Sequence, residues 1–326
     1  MNKRILGKGL QVSSIGLGCM GMTHASGAPA DEKEMTALIA QAVEQGCTFF
    51  DTAECYTGVR ADGSMAYNED LVGAALKPFR NQVVLATKCG VRHMGSRLEM
   101  DSRPETIRRS VEASLRRLQT DHIDLYYQHR IDPKTEPEEV AQVMGELIQE
   151  GKILHWGVSE AGEDYIRRAH AVCPLTAIQN RMSMMYRDYE NLFPALEELE
   201  IGFVAFSPMA NGFLTARYNK ESKFEQGTDF RSFMPQFSAE GIDQNQELLA
   251  LLQTTAENKK ATPAQISLAW LLAKKPYIVP IPGTRKPDRL TENLGAAEIE
   301  LTADEVQKLD NALEHMTMSA VFGGHK

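Results

Sequence analysis

Short apolar segments alternate with amphipathic helical patterns along almost the whole 326-residue chain. Eight of these segments have the pattern of strands, at residues 15–18, 47–50, 83–87, 123–128, 153–158, 175–178, 202–206 and 277–280. Because parallel strands need long crossover connections, usually helices, this alternation indicates a parallel sheet. Eight strand–helix units fit a TIM barrel, whose active site lies at the carboxyl ends of the strands. We therefore predict a single (β/α)8 TIM barrel domain over residues 1–326, with an N-terminal β-hairpin and extra helices.

The start of the chain offers an alternative fold. Residues 3–14, with Gly7-Lys8-Gly9 at their centre, are predicted to form the hairpin. The next stretch, Ile15-Gly16-Leu17-Gly18-Cys19-Met20-Gly21, contains a Gly-x-Gly-x-x-Gly sequence. That motif indicates a dinucleotide-binding Rossmann turn only where a helix opens directly on the glycines. Here the next helical pattern begins only at Asp31, so the Rossmann fold stays an alternative to the barrel.

Charge and cysteine usage exclude several classes of function. A net charge of -9 argues against nucleic acid and anionic membrane surfaces as partners. The five cysteines contain no Cys-x-x-Cys pair, which suits free thiols in a reducing cytosol rather than a disulfide framework or zinc site. The histidines are scattered without the spacing of metal ligands, so no metal site is predicted. Without a signal peptide or an apolar run near ~20 residues, we expect a soluble cytoplasmic protein.

Four residues with acid–base side chains follow three of the predicted strands. Asp51 directly follows the apolar run 47–50, and Tyr56 comes five residues later. Lys88 and His129 directly follow the next two strands. Carboxyl ends of neighbouring parallel strands meet at one edge, and a carboxylate buried there needs a partner. The pattern predicts one acid–base site, with separate ion pairs on unrelated strands as the alternative.

Motifs at these strand ends resemble the aldo-keto reductase family. They are Phe50-Asp51-Thr52-Ala53-Glu54-x-Tyr56, Ala86-Thr87-Lys88, Asp124-Leu125-Tyr126-Tyr127-Gln128-His129, Gly157-Val158-Ser159, Phe206-Ser207-Pro208 and Ile281-Pro282-Gly283-Thr284-Arg285. The similarity covers nearly the whole chain, from Gly16 to Asn293. Each motif alone is a weak signal, but their order, spacing and strand-end placement together are specific.

The resemblance implies that Asp51, Tyr56, Lys88 and His129 form a catalytic tetrad that reduces a small aldehyde or ketone. Because no side chain supplies hydride, a nicotinamide must do so. Tyr56 would donate the proton, but a phenol with a pKa near 10 is too weak an acid at neutral pH. The Lys88 ammonium is expected to lower that pKa, with Asp51 keeping the ammonium charged. His129 would orient the carbonyl oxygen.

The resemblance also implies a site for NADPH or NADP+. Ser159 and Gln179 should hold the nicotinamide carboxamide, and Met182, or alternatively Tyr186, occupies the position of a stacking aromatic ring. The other expected cofactor contacts are Met20, Asp51, Ser207, Pro208, Met209, Gly212, Leu214, Gly283, Thr284, Arg285, Arg289, Glu292 and Asn293. Arg285 and Arg289 favour NADPH over NADH, because guanidinium groups bind a 2′-phosphate bidentately. A solvated helix face would show the same two arginines.

Other interpretations of the same residues stay open. Residues 207–242 carry six aromatic side chains, which either fold over a ligand or anchor a long loop. A Schiff-base lyase using Lys88 is disfavoured, because Asp51 would keep the amine charged. A non-enzymatic, NADPH-binding regulatory barrel is a further alternative, since a fold alone does not guarantee activity. Substrate and oligomeric state are not determined by the sequence.

Overall fold

The computed structural model of the chain describes residues 1–94 and 97–321, so the end of the tail, residues 322–326, lies outside it. Its strands, numbered in chain order, are β1 (Lys3–Leu6), β2 (Leu10–Ser13), β3 (Leu17–Gly18), β4 (Phe49–Asp51), β5 (Thr57–Val59), β6 (Met65–Tyr67), β7 (Val84–Cys89), β8 (Val91–Met94), β9 (Arg97–Met100), β10 (Ile123–Gln128), β11 (Ile153–Ser159), β12 (Ala177–Arg181), β13 (Gly202–Phe206) and β14 (Ile278–Pro280). Eight of them form a parallel sheet in the order β3, β4, β7, β10, β11, β12, β13, β14.

This sheet closes into a barrel between its first and last strands. The Gly16 N–H donates to the Pro280 carbonyl at 3.0 Å, and the Gly18 N–H donates to the Pro282 carbonyl at 3.3 Å. A side chain at position 18 would place its Cβ 2.8 Å from the Ile281 carbonyl oxygen, so only glycine fits there. The Gly-x-Gly pair therefore serves barrel closure. The predicted (β/α)8 barrel is confirmed, and the Rossmann alternative is wrong.

The N-terminal hairpin, β1 paired with β2, covers the amino end of the barrel. Leu6, Leu10 and Val12 are buried in the same cluster as the barrel's interior side chains. Gly202, the first residue of β13, lies so close that a Cβ there would be 2.5 Å from a Leu6 methyl carbon. With this end filled by the hairpin, the carboxyl ends of the strands are left for a ligand.

Helices surround the barrel, and the first of them begins directly after Asp31, where the sequence predicts a helix. They are α1 (Glu32–Glu44), α2 (Asn68–Leu76), α3 (Pro104–Leu118), α4 (Pro137–Gln149), α5 (Glu163–Val172), α6 (Phe193–Leu199), α7 (Ala239–Gln244), α8 (Gln246–Lys259), α9 (Pro263–Lys274), α10 (Pro287–Gly295) and α11 (Ala303–His315). The Asp31 carboxylate caps α1, and Thr302 forms a capping box with Glu305 at α11. The predicted extra helices are α7, α8 and α11. Within the described ranges, no helix is long and apolar enough to cross a bilayer.

Two hairpins stand on the carboxyl side of the barrel. β5 pairs with β6 between Tyr56 and α2, where the sequence shows only a long loop. β8 pairs with β9 after the strand that carries Lys88. These strands are three or four residues long and partly exposed, so they lack the apolar pattern that would have revealed them. Both hairpins extend the walls around the strand ends.

The substitution Gly18→Ala tests barrel closure. The added methyl group meets backbone rather than a mobile side chain, so we expect the free energy of unfolding to fall by about 1–3 kcal/mol in urea denaturation. Gly145→Ala is the matched control, because Gly145 lies inside α4 and a methyl group added there would be 3.5 Å from the Cys173 sulfur, an ordinary contact distance. Alanine should stabilise that helix by about 0.5–1 kcal/mol. Similar effects at both positions would contradict a closure role for Gly18.

Candidate active site

Neighbouring strands bring the four candidate acid–base residues together at the carboxyl end of the barrel. Asp51 ends β4, Lys88 lies in β7 and His129 directly follows β10, while β7 pairs with both other strands. Tyr56 lies in the turn after β4, and its N–H donates to the Ala53 carbonyl at 3.1 Å. Asp51, Lys88 and His129 are 3%, 0% and 6% exposed. Titratable groups buried this deeply must be either paired or neutral.

Lys88 is the centre of the site. Its ammonium donates to Asp51 Oδ1 at 2.5 Å, to the Thr52 carbonyl at 2.7 Å and to the Tyr56 hydroxyl at 3.3 Å. Burial lowers the pKa of Lys88, but Asp51 and Tyr56 outweigh burial and raise that pKa above its ordinary value. Lys88 is therefore a charged ammonium beside the phenol.

The Asp51 carboxylate is held on both oxygens. Its Oδ1 accepts from Lys88, and its Oδ2 accepts from Gln179 Nε2 at 2.8 Å across the barrel. Burial raises the pKa of Asp51, and the Lys88 ammonium opposes that rise. The hydrogen bond to Asp51 fixes the amide of Gln179, one of the two residues expected to hold a carboxamide.

Two opposing effects act on the pKa of Tyr56. Burial raises the pKa of Tyr56 above its ordinary value, and the Lys88 ammonium offsets only part of the rise. The lowering of this pKa by Lys88 that we expected from the sequence is present, but burial disfavours the phenolate more strongly than the ammonium favours it, so the net shift is upward. Tyr56 therefore keeps its proton at neutral pH, and Lys88 acts on the phenolate that forms when the proton leaves.

His129 is a neutral imidazole. Burial, together with the nearby charges of Arg130 and Lys88, holds the pKa of His129 well below 6.5. Its Nδ1 lies 3.4 Å from the Cys55 sulfur, and burial raises the pKa of the Cys55 thiol to about 12. Because that thiol keeps its proton, it can donate to Nδ1, and in that arrangement the imidazole proton is on Nε2. The Tyr56 ring stands edge-on to this imidazole, with 5.6 Å between ring centres.

Met182 and Tyr186, the two candidates for packing on a nicotinamide, lie in different surroundings. Met182 is fully buried in the outer core between strands and helices, and the Tyr186 ring packs on the Arg181 guanidinium. Phe206 is the last residue of β13 and packs against the barrel's interior cluster while staying partly exposed. Phe206 is therefore a further candidate for this position, and sequence reasoning did not name it, although it directly precedes the Ser207-Pro208 pair and closes a predicted strand.

The loop of residues 207–214 has a backbone suited to an anion. Positive φ angles occur at Ser207, Ala210, Asn211 and Gly212. Such conformations cost non-glycine residues of order 1–3 kcal/mol each, so they persist only where the surroundings enforce them. The buried side chains of Pro208, Met209 and Leu214 hold the loop in place. Successive residues of this kind produce concave backbone surfaces that bind phosphate groups.

Arg285 and Arg289, the two arginines expected at a 2′-phosphate, have different surroundings. Arg285 donates through Nε to the Gly21 carbonyl. It also donates through Nη1 to the Ala28 carbonyl at 2.9 Å. Its Nη2 is buried and has no hydrogen-bond partner among the described residues. Arg289 lies half-exposed on α10, with no ion pair within residues 1–94 and 97–321. Arg285 thus holds the loop after β3 and keeps one donor for a ligand.

The other residues expected around the adenosine surround the start of α10. Gly283 packs on the first strand, since a Cβ there would lie 2.8 Å from the Gly18 carbonyl oxygen. The Thr284 hydroxyl accepts from the Lys286 N–H at 3.0 Å, and Asn293 is buried. Glu292 accepts hydrogen bonds of 2.7 and 2.8 Å from Arg217, a residue not singled out in the sequence. This ion pair joins the long loop after β13 to α10.

That long loop also reaches over β14 to the loop after β3. The Phe230 N–H donates to the Ala25 carbonyl and the Gly27 N–H to the Thr228 carbonyl, both at 3.1 Å. Three of its aromatic rings pack on one another with centres 5.0–5.5 Å apart, namely Tyr218, Phe224 and Phe237. The aromatic residues therefore anchor the loop, and the loop covers part of the barrel opening.

A wall of rings borders the tetrad on the side of the loop after β3. Half-buried Met20 begins a 3-10 helix, Met20–Met22, and His24 follows it. The His24 ring stacks on Tyr56 at 6.0 Å and lies 4.8 Å from His93 and 5.5 Å from Phe230. His93 belongs to the β8–β9 hairpin, which the sequence did not reveal. The sequence lists these rings, but only the structure shows that they lie close together.

Comparison with known proteins agrees with this geometry. Residues 14–314 match the family model described as Aldo/keto reductase family. The chain is 38% identical over 320 residues to "Probable aldo-keto reductase 1" from Glycine max, covering 97% of this chain and 89% of that protein. The solved glycerol dehydrogenase AKR11B4 from Gluconobacter oxydans matches with TM-score 0.85 and 28% identity, over 99% of this chain and 98% of that one. The aldo-keto reductase AKR11C1 from Bacillus halodurans, in its holo form, matches with TM-score 0.77 and 28% identity, over 100% and 99% of the chains.

The protonation of His129 predicts a pH dependence of stability. Its pKa in the folded protein lies well below 6.5, so below about pH 6.5 the unfolded chain binds more protons at this residue. The folded protein should therefore lose about 1.4 kcal/mol of unfolding free energy per pH unit from this residue as pH falls from ~6 to ~5. Urea denaturation across this range should show a shallower dependence for His129→Gln.

The control for this measurement is His315→Gln, since His315 is exposed at the end of α11. That variant should keep the pH dependence of the parent protein. An unchanged pH dependence in His129→Gln would show that the imidazole is not buried in its neutral form.

Proposed function

We propose, from the premise that this chain belongs to the aldo-keto reductase family, that it transfers hydride from NADPH to the carbonyl carbon of a small aldehyde or ketone. The family consists of NAD(P)-dependent oxidoreductases acting on carbonyls and alcohols, and this protein is one of them. The observation that carries the proposal is the hydrogen bond between the buried Lys88 ammonium and the Tyr56 phenol, beside the neutral His129 imidazole. Asp51, Tyr56, Lys88 and His129 are the proposed catalytic tetrad.

Each tetrad residue has a different role in the proton transfer. His129 donates through its Nε2–H to the carbonyl oxygen and orients that oxygen toward Tyr56. Tyr56 gives its proton to the oxygen as negative charge develops there. The Lys88 ammonium, 3.3 Å from the phenol oxygen, stabilises the phenolate, and Asp51 keeps Lys88 in place. Proton donation of this kind contributes about 10²–10⁴-fold to the rate.

The cofactor, when bound, supplies the hydride, which no side chain provides. Phe206 presents its ring at the carboxyl end of β13, and a flat ring stacks well on a nicotinamide. Ser159 and Gln179, on the two preceding strands, hold the carboxamide. The loop from Ser207 to Leu214 holds the pyrophosphate, and the segment from Gly283 to Asn293 holds the adenosine. Met20 completes the site from the loop after β3.

Two observations support NADPH rather than NADH. The Nη2 of Arg285 is a buried donor without a partner among the described residues, and a phosphate oxygen would satisfy it. Arg289, in the first turn of α10, carries a guanidinium without an ion pair in the described ranges. Together they provide the charge-assisted hydrogen bonds that a 2′-phosphate accepts.

Two alternative functions make different predictions: one concerns the protonation state of Lys88, and the other concerns whether the protein oxidises NADPH. A Schiff-base lyase needs a neutral amine, and the raised pKa of Lys88 disfavours that form. A regulatory barrel would bind NADPH without turnover. NADPH oxidation, followed by absorbance with a panel of aromatic and aliphatic aldehydes, separates the reductase from both rivals. Glyceraldehyde belongs in this panel, since one structural neighbour is named a glycerol dehydrogenase.

The substitution Tyr56→Phe tests the proton donor. It removes one hydroxyl group and leaves the ring, so NADPH affinity should persist while kcat falls by about 10²–10⁴-fold. Tyr67→Phe is the matched control, because this phenol is 38% exposed at the start of α2 and its ring packs on the Arg117 guanidinium. Near-parental turnover of Tyr56→Phe would remove Tyr56 from the proposed mechanism.

The substitution Arg289→Gln tests the preference for NADPH. Loss of a charge-assisted hydrogen bond should weaken NADPH binding by about 10-fold to 100-fold and NADH binding much less, as measured by fluorescence titration. Arg116→Gln, exposed near the end of α3, removes the same charge far from α10 and should change neither affinity. If Arg289→Gln weakens both cofactors equally, Arg289 does not contact the 2′-phosphate.

A further inference from the structure

Two arginines meet at Phe206, beside the proposed nicotinamide position. Arg130 closely follows His129 at the end of β10, and Arg181 ends β12 opposite Phe206 in the strand register. Their guanidinium carbons lie 5.8 Å and 5.3 Å from the Phe206 ring centre. After burial, the charge of Arg130 is a further cause of the lowered pKa of both His129 and Arg181. The two cations and the imidazole therefore share one electrostatic environment.

Arg181 is a buried cation that packs on the rings of Tyr186 and Phe206 and lies beside the Glu160 carboxylate. It is 9% exposed, and its Nε has no hydrogen-bond partner in the described part of the chain. Glu160 is the neighbouring carboxylate, but it accepts from the backbone N–H of Arg181, at 3.0 Å, rather than from the guanidinium. An unpaired buried donor is expected where a ligand completes a site. The ligand that fits a guanidinium is an anion.

Arg130 is held by groups that the cofactor also needs. Its Nη1 donates to the Ser159 hydroxyl at 3.1 Å and to the His129 carbonyl at 2.7 Å. In the proposed function, Ser159 holds the carboxamide and Phe206 stacks on the nicotinamide. The Ser159 hydroxyl can accept from Arg130 and still donate its proton to the carboxamide, so the Phe206 ring is the group for which Arg130 and the nicotinamide compete. The guanidinium then keeps its anchor at His129, next to the position of the substrate carbonyl, and has donors to spare.

We propose that Arg130 and Arg181 bind a carboxylate of the substrate, so that the preferred substrates are aldehydes or ketones that carry a carboxylate. The inference rests on the proposed reductase function and specifies its substrate class. Guanidinium donors match the two oxygens of a carboxylate. An anion also reduces the repulsion between the two arginines and gives the Arg181 Nε its missing acceptor. The chain as a whole carries a net charge of -9, so local positive charge is required to bind an anionic substrate.

Matched pairs of aldehydes test this subsite in steady-state assays with NADPH. One pair is para-carboxybenzaldehyde and its methyl ester, and the other is succinic semialdehyde and butanal. In the parent protein, kcat/KM for the anion should exceed that for the neutral partner by about 10-fold to 100-fold. Arg130→Gln and Arg181→Gln should each lower this ratio by about 10-fold or more. Because both members of a pair meet the same protein sample, the ratio cancels any general loss of folding or catalysis.

Arg92→Gln is the control, since Arg92 is exposed on β8 at the same side of the barrel and its loss changes the net charge equally. Because salt screens the charge of an exposed side chain, the ratio of kcat/KM for the anionic and neutral aldehydes in Arg92→Gln should stay within about twofold of the parent ratio. Equal kcat/KM for anionic and neutral aldehydes in the parent would overturn the subsite. A ratio unchanged in both arginine variants would also overturn it.

A binding measurement decides the case in which no aldehyde is reduced. Calorimetric titration of the protein with para-carbamoylbenzoate and with benzamide, in the presence of NADP+, compares an anionic and a neutral amide. A preference for the anion that Arg130→Gln abolishes would support the subsite while rejecting the reductase mechanism. No preference for the anion would overturn the subsite.

Discussion

The whole site depends on the ion pair between Lys88 and Asp51, because an ammonium with no solvent exposure must be surrounded by acceptors. The pair joins β7 to β4, and the Gln179 hydrogen bond extends it across the barrel to β12. Removing one member of a buried pair leaves the other charge without a partner and typically lowers the free energy of unfolding by about 3–5 kcal/mol. The interaction that positions the chemistry is therefore also part of what holds the barrel's upper layer together.

Burial sets the protonation state of every group around that pair. Lys88 is charged because Asp51 and Tyr56 compensate its burial, whereas Tyr56 and His129 stay neutral because nothing fully compensates theirs. The result is a cation beside two proton-bearing neutral groups, which is the state that the proposed mechanism requires before a carbonyl is reduced. Arg130 contributes to the neutrality of His129 and, in the proposed subsite, binds the charge of the substrate that approaches it.

The alternation of side-chain directions along a strand separates Met182 from Phe206 as candidates for packing on the nicotinamide. Successive residues of a strand face opposite sides, so Gln179 and Arg181 share the interior face of β12, and the next residue, Met182, turns to the outer core. That alternation alone argues against Met182 as the stacking residue. Phe206, by contrast, faces the interior of the barrel at the carboxyl end of its strand, as the proposed stacking requires. The hairpins at β5–β6 and β8–β9 are different, because short exposed strands carry no apolar period.

The sequence by itself determined the (β/α)8 barrel, its N-terminal hairpin, the start of α1 and the strand ends that carry Asp51, Lys88 and His129. These features depend on apolar periodicity, caps and turns, which act over a few residues. Only the tertiary structure decided the raised pKa of Tyr56, the hydrogen bonds between Arg285 and the loop after β3, and the packing of Arg130 and Arg181 on Phe206. Burial and the distances between residues far apart in the chain set these, and no local pattern encodes either quantity.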